Sequence, residues 1–236
     1  FGRLLGVEWR KATDTRAARS LLVFAALSTA GLMLIPLLSR TRVDQTYGSY
    51  LFQAAIGLSI LLPVVSILTL TSEWSQRTVL TTFTQEPRRL RVVSAKVVVS
   101  LLLAVGGIVY GVLVTVTSLA IAAASGRELT SDLNAGVIVG FIVYVVLQVL
   151  LGVAVGALLH NSAVAITLSF VLPTTSAFLG HAWKAAGDWF DPTTTFGWLL
   201  HGQWSGHTPQ IVVSIFVWVA IPLAAGLVRT VRREIK

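Results

Sequence analysis

The sequence predicts an all-α integral membrane protein with six transmembrane helices, and three observations carry that prediction. Hydrophobic residues make up 55% of the 236-residue chain and charged residues 12%, with a mean hydropathy of +0.80. A soluble domain of this size has roughly a quarter of its residues charged, because its surface faces water. The charges also cluster between long uncharged runs, a distribution that a soluble fold does not require. Those runs are the third observation, since about 20 apolar residues cross a hydrocarbon core about 30 Å thick.

Residues 20–39, between Arg19 and Arg40, predict the first span. Residues 45–72, between Asp44 and Glu73, hold the second at about 50–72. Residues 97–126, between Lys96 and Arg127, hold the third at about 97–123. The next charge-free stretch, Leu133 to Trp183, is 51 residues long, too long for one helix and suited to two. Its polar His160-Asn161-Ser162 triplet marks the break, giving spans at 135–159 and 163–182. The sixth, at 209–228, starts at Pro209, a residue suited to a first helical turn. All six belong to a single transmembrane domain covering residues 1–236. The first apolar run begins near Leu21, behind a polar segment and with no small-residue cleavage site after it, so no cleavable leader is expected.

Basic residues orient a membrane protein, with Lys and Arg enriched on the cytoplasmic side. A cytoplasmic N-terminus puts Arg3, Arg10, Lys11, Arg16 and Arg19 inside, then Arg77, Arg88, Arg89, Arg91 and Lys96, then Arg229, Arg232, Arg233 and Lys236. Outside fall Arg40, Arg42, Arg127 and Lys184. Both termini are therefore expected in the cytoplasm. The pairs Gly107/Gly111, Gly136/Gly140 and Gly152/Gly156 have the small-xxx-small spacing that lets helices approach closely, and they read as packing positions.

Composition also excludes functions. Without cysteine there is no disulfide and no thiolate metal site. The net charge of +8 sits beside apolar runs, so an anionic lipid surface, and not nucleic acid, is the expected partner. No GxxxxGK[ST] loop is present to hold ATP. No Asp, Glu, Lys or Arg falls inside a predicted span, where coupled carriers place an ionisable group. His160 and His181 lie at opposite ends of the fifth span and share no site. His181, His201 and His207 lack a carboxylate or an i, i+4 relation, so no metal site is expected, and no catalytic residue is assigned.

Three segments carry the functional expectation. Residues 73–96, EWSQRTVLTTFTQEPRRLRVVSAK, bring Val79, Leu80 and Phe83 to one face of a short cytoplasmic helix between spans two and three. Pro87 ends that helix, because the residue before a proline is pushed from the α region. Arg88, Arg89 and Arg91 then meet the lipid headgroups. An interfacial amphipathic turn would account for this much, and Glu73 would pair with Arg77 at i+4 or favour the next helix's N-terminus. Residues 3–19 read as an amphipathic surface helix, with Phe1, Leu5, Trp9 and Ala12 as its stripe and Arg3, Arg10, Lys11, Arg16 and Arg19 as headgroup contacts. Residues 183–208 form a long outer loop between spans five and six with Trp183, Trp189, Phe190, Phe196, Trp198 and Trp204, which is either an interfacial belt dipping in as half-helices or a gate.

Glu73, Thr78, Thr81, Thr82, Pro87, Arg88 or Arg89, and Lys96 stand in an order that resembles the permease subunits of type-2 ABC exporters. The opening GVEWRKATDTRAARSLL is similar to N-termini of actinobacterial permeases of that kind. That family commonly has a glycine before the first threonine, where this chain has Arg77. The resemblance implies that residues 73–96, Phe83 included, form a coupling helix resting on a separate ATPase. That ATPase would be present in two copies and would hold ATP and Mg; this chain would bind no cofactor and would not itself be an enzyme. It implies a second permease copy or paralogue, an N-terminal helix bordering the ATPase, and an outer gate at the aromatic loop. It also implies a multi-pass place in a bacterial plasma membrane and outward transport of a hydrophobic or amphipathic drug, antibiotic or lipid. A self-contained carrier or channel, or a membrane scaffold or sensor, is the alternative.

Overall fold

A computed structural model describes residues 1–39 and 45–232. Arg40, Arg42, Arg233 and Lys236 lie outside the described residues. Among the described residues the chain is helical apart from turns and one isolated bridge between Thr46 and Thr130. Helix α1 covers Gly2–Asp14, α2 Arg16–Leu32, α3 Leu34–Leu38, α4 Tyr47–Ser75, α5 Val79–Gln85 and α6 Arg89–Ala124. Then come α7 Ala135–Leu159, α8 Ser162–Ala182, α9 Lys184–Phe190, α10 Pro192–Leu200, α11 Thr208–Ile215, a π-helical turn Phe216–Ala220 and α12 Ile221–Arg232.

Six of these units are long and apolar enough to cross a membrane: Arg16–Leu38, Tyr47–Ser75, Arg89–Ala124, Ala135–Leu159, Ser162–Ala182 and Thr208–Arg232. The local breaks have local causes. Pro36 has no N–H and crowds the carbonyl four residues back, and α2 stops at that residue, Leu32. Asn161 caps α8 by accepting from the Val164 amide, which sets the break between the fourth and fifth spans at His160-Asn161. Glu86, ahead of Pro87, is extended at φ −132° and ψ 95°, so α5 ends at Gln85. The third span differs from the sequence expectation in starting earlier, because α6 runs without interruption from Arg89 and takes in Lys96.

The fourth span packs on the second at the centre of the bundle, and the others surround them. Gly152 makes this possible: a Cβ there would sit 2.5 Å from the Pro63 carbonyl oxygen on α4. The glycine pairs therefore serve contacts within the chain. We call the end bearing the described termini basal and the other distal. At the distal end Arg127 donates to the Pro36 and Leu37 carbonyls and to Gln45, while Asp132 accepts from the Gly48 amide at the start of α4.

Candidate functional site

Four charged side chains from three helices meet at the basal end. Glu8 and Lys11 lie one turn apart on α1, Glu73 ends α4, and Lys96 stands two turns into α6. Lys96 lies 2.6 Å from Glu8 and 3.3 Å from Glu73. Lys11 lies 2.9 Å from Glu8 and 2.6 Å from Glu73. Each carboxylate is thus held by both ammoniums, and Thr82 of α5 donates to Glu73 at 3.0 Å. Glu8 is 1% exposed and Lys96 4%, so neither meets bulk water. Two cations and two anions leave the cluster neutral, the condition under which buried charges are tolerated. The expected Glu73–Arg77 pair does not form; Lys11 and Lys96 take the carboxylate instead, because they reach it from helices packed against α4.

Lys11 is the half-exposed member. Burial works against its charge, but hydrogen bonds and Coulomb attraction from Glu73 and Glu8 outweigh it and raise its pKa above 10.5. A folded pKa above the unfolded one adds stability below the unfolded value and loses it as pH rises through the folded value. The Lys11 contribution is therefore expected to hold through neutral pH and fade in the alkaline range. Unfolding midpoints of the chain and of Lys11→Met, measured against pH in detergent, should converge above the ordinary lysine range.

α1 buries Glu8 between two residues of its hydrophobic stripe. Leu5 and Ala12 do pack, in a cluster with Val65, Val99 and Leu103, but Glu8 lies between them. Phe1 and Trp9 face outward, as do Arg3, Arg10 and Arg16. The helix turns its ionic edge to α4 and α6 because only there does Glu8 find two lysines.

The turn between α4 and α5 closes as a Schellman motif. The Thr78 amide donates to the Glu73 carbonyl at 2.9 Å, and the Arg77 amide to Trp74 at 3.3 Å. Arg77 takes the left-handed position that this motif reserves for glycine, at φ 59°. The backbone thus keeps the glycine conformation without the glycine. Arg77→Gly is expected to stabilise the chain by about 1 kcal/mol, read from thermal unfolding in detergent.

A second basal network runs from α5 to the last span. Trp74 meets Phe83 edge-on at 6.3 Å and stacks on His160 at 4.2 Å. His160 Nε2 lies 2.9 Å from the Thr230 hydroxyl of α12. Arg89 sits 5.3 Å over the Phe83 ring and donates to the Thr230 and Val231 carbonyls. Arg229 donates to the Leu158 carbonyl at the end of α7. With the ionic cluster, these contacts join α5 to α1 and to the basal ends of the second, third, fourth and sixth spans.

The other expected coupling residues surround this core. Thr78, Thr81 and Thr82 line a basal cavity of about 480 Å³ with Lys11 and Glu73 in its wall. Pro87 separates α5 from α6, and Arg88 is exposed.

The aromatic loop does not form one site. Its half-helices are α9 and α10, joined at Asp191, whose carboxylate accepts from the Thr193 and Thr194 amides and hydroxyls and from Ser176. Trp183 is 70% exposed, and Trp189 and Phe190 also face outward. Phe196 is buried in the bundle, Trp198 packs at a tilt against His207 at 4.0 Å, and Trp204 donates to the Leu199 carbonyl. α10 can fold back onto α7 because Gly140 has no Cβ to strike the Leu199 carbonyl. Phe196 also lines a mid-bundle cavity of about 340 Å³ between α4, α7, α8 and α10.

Sequence reasoning missed Glu8, Trp74, Gln148 and Thr230. Glu8 alone had a local signal, its i, i+3 relation to Lys11. No family model, no curated protein and no solved structure matches the chain.

Proposed function

We propose that this chain is the membrane-spanning permease subunit of an ATP-driven exporter, moving a hydrophobic or amphipathic molecule outward with energy from a separate ATPase. The observation that carries the reading is the placement of α5. A short helix with an exposed Thr78–Gln85 face is tied through Glu73, Trp74 and Arg89 to α1 and to the second, third, fourth and sixth spans. A partner that pushes on α5 therefore acts on most of the bundle. The chain's lack of a phosphate-binding loop, and of an ionisable group at mid-span, favours borrowed energy over a self-contained carrier.

In this reading the basal end faces the cytoplasm of a bacterial cell, in keeping with the Lys and Arg asymmetry. Two ATPase copies, loaded with ATP and Mg, press on two permease halves, and the mid-bundle cavity lies on the pathway under Phe196. The fifth span, only 6% buried within the chain, leaves a face for a second copy or paralogue.

The test is co-purification with an ATPase encoded beside it, followed by ATP turnover and transport in proteoliposomes. Arg88→Glu with Arg89→Glu is expected to cut stimulated ATP turnover and transport at least about tenfold, the loss that follows when like charge replaces a complementary contact. Absence of a complex, with turnover and transport unchanged in the double variant, would overturn the reading.

A further inference from the structure

The mid-bundle cavity is uncharged and mostly apolar, but a few polar atoms stand in its wall. Among the described residues, no Asp, Glu, Lys, Arg or His lines it. Its walls contain two prolines inside spans, Pro63 of α4 and Pro173 of α8. Proline carries no N–H, so the carbonyl four residues earlier loses its helical donor. Those carbonyls belong to Ser59 and Ser169, and both serines line the same cavity. Two helices thus each bring to one place in the bundle a residue whose carbonyl lacks its helical donor.

The side chains add to the imbalance. Ser59 spends its hydroxyl proton on the Ile56 carbonyl and Ser169 on Ile166, so each offers the cavity an oxygen without a hydrogen. Thr174 donates to Phe170 in the same way. Gln148 uses an amide hydrogen on the Tyr144 hydroxyl at 2.9 Å, and its own carbonyl oxygen accepts from no group among the described residues. Acceptors outnumber free donors, which are the Tyr144 hydroxyl and one Gln148 hydrogen. An acceptor that a ligand covers without matching is costly, so such a wall discriminates between molecules with and without a donor.

We propose that this cavity is a binding site selective for apolar molecules that carry an N–H or O–H donor, with the Ser59 and Ser169 carbonyls and Gln148 as its acceptors. At about 340 Å³ it is within the size range of small-molecule sites. For transport, the proposal rests on the exporter reading; for binding, it does not.

Aminopyrene and dimethylaminopyrene share an aromatic body and differ in their N–H groups. Both are titrated by fluorescence against the purified full chain in phosphatidylcholine nanodiscs, with empty nanodiscs subtracted. Aminopyrene is expected to bind about tenfold more tightly, the worth of one well-made hydrogen bond. Pro63→Ala and Pro173→Ala return an N–H to each carbonyl, in a residue that favours helix. Each is expected to weaken aminopyrene while leaving dimethylaminopyrene unchanged, and Gln148→Met should act likewise. Equal affinity for the two dyes, binding of neither, or a preference intact in all three variants would overturn the proposal. ATP-driven uptake into vesicles containing the ATPase is scored separately. Selective binding without such uptake removes the exporter reading and leaves the site standing.

Discussion

Lys96→Met is expected to destabilise the chain by about 3–5 kcal/mol, more than any other single substitution in the basal cluster. The size follows from what the substitution leaves behind. Glu8 is 1% exposed and loses the partner at 2.6 Å, keeping only Lys11, which is itself half in water. Glu73 loses the 3.3 Å contact and retains Lys11 and Thr82. A buried carboxylate with half its compensation gone must take up a proton or draw in water, and either parts α1 from α6. Lys11→Met should cost less, since Lys96 still touches both carboxylates. The pairing account makes a sharper demand on the double variant. Glu8→Gln with Lys96→Met removes one charge of each sign and should recover most of the loss, because replacing both partners of a buried pair is far milder than orphaning one. Unfolding of the four proteins by denaturing detergent, followed by circular dichroism, gives the cycle. If the double variant is as unstable as the sum of the singles, the cluster is not paired as described.

How legible this site was depends on the range of the force that builds each part. The spans were readable because a charge in hydrocarbon is excluded wherever it stands, so the uncharged runs mark themselves. The His160-Asn161 break and the end of α5 before Pro87 were readable for a similar reason, since a cap or a proline acts within one turn. The partner of Glu73 was not. An i+4 arginine is the best guess that local spacing allows, and packing of α1 and α6 on α4 supplied two better cations from 62 residues before and 23 residues after it. Glu8 was not legible either, since its burial depends on a neutral cluster assembled from three helices. Gly140 and Gly152 could be read as packing positions from their spacing. That one would admit α10 and the other α4 could not, because the contact lies on the far helix.

Trp74→Ala tests whether α5 is joined to the fourth and sixth spans by aromatic contact. Trp74 is half-buried between Phe83 on one side and His160 on the other, and its removal leaves a gap between those two rings. A loss of about 3 kcal/mol is expected, the low end for deleting a large aromatic, because part of the ring already meets solvent. Stability alone would not separate a spacer from a link, so the informative quantity is transport per ATP consumed in the complex with the ATPase. If the Phe83–Trp74–His160–Thr230 chain carries motion, that ratio should fall about two- to thirtyfold, the span of known coupling effects, while ATP turnover persists. Trp74→Phe keeps a ring between Phe83 and His160 and should restore most of the ratio. The ionic cluster would then hold α1 and the second and third spans to α5 unaided, and turnover without transport is the behaviour expected of a bundle driven from one side. A Trp74→Ala protein that is less stable yet transports with an unchanged ratio would reduce Trp74 to packing, and would leave Arg89, which grips the end of α12 directly, as the path to the sixth span.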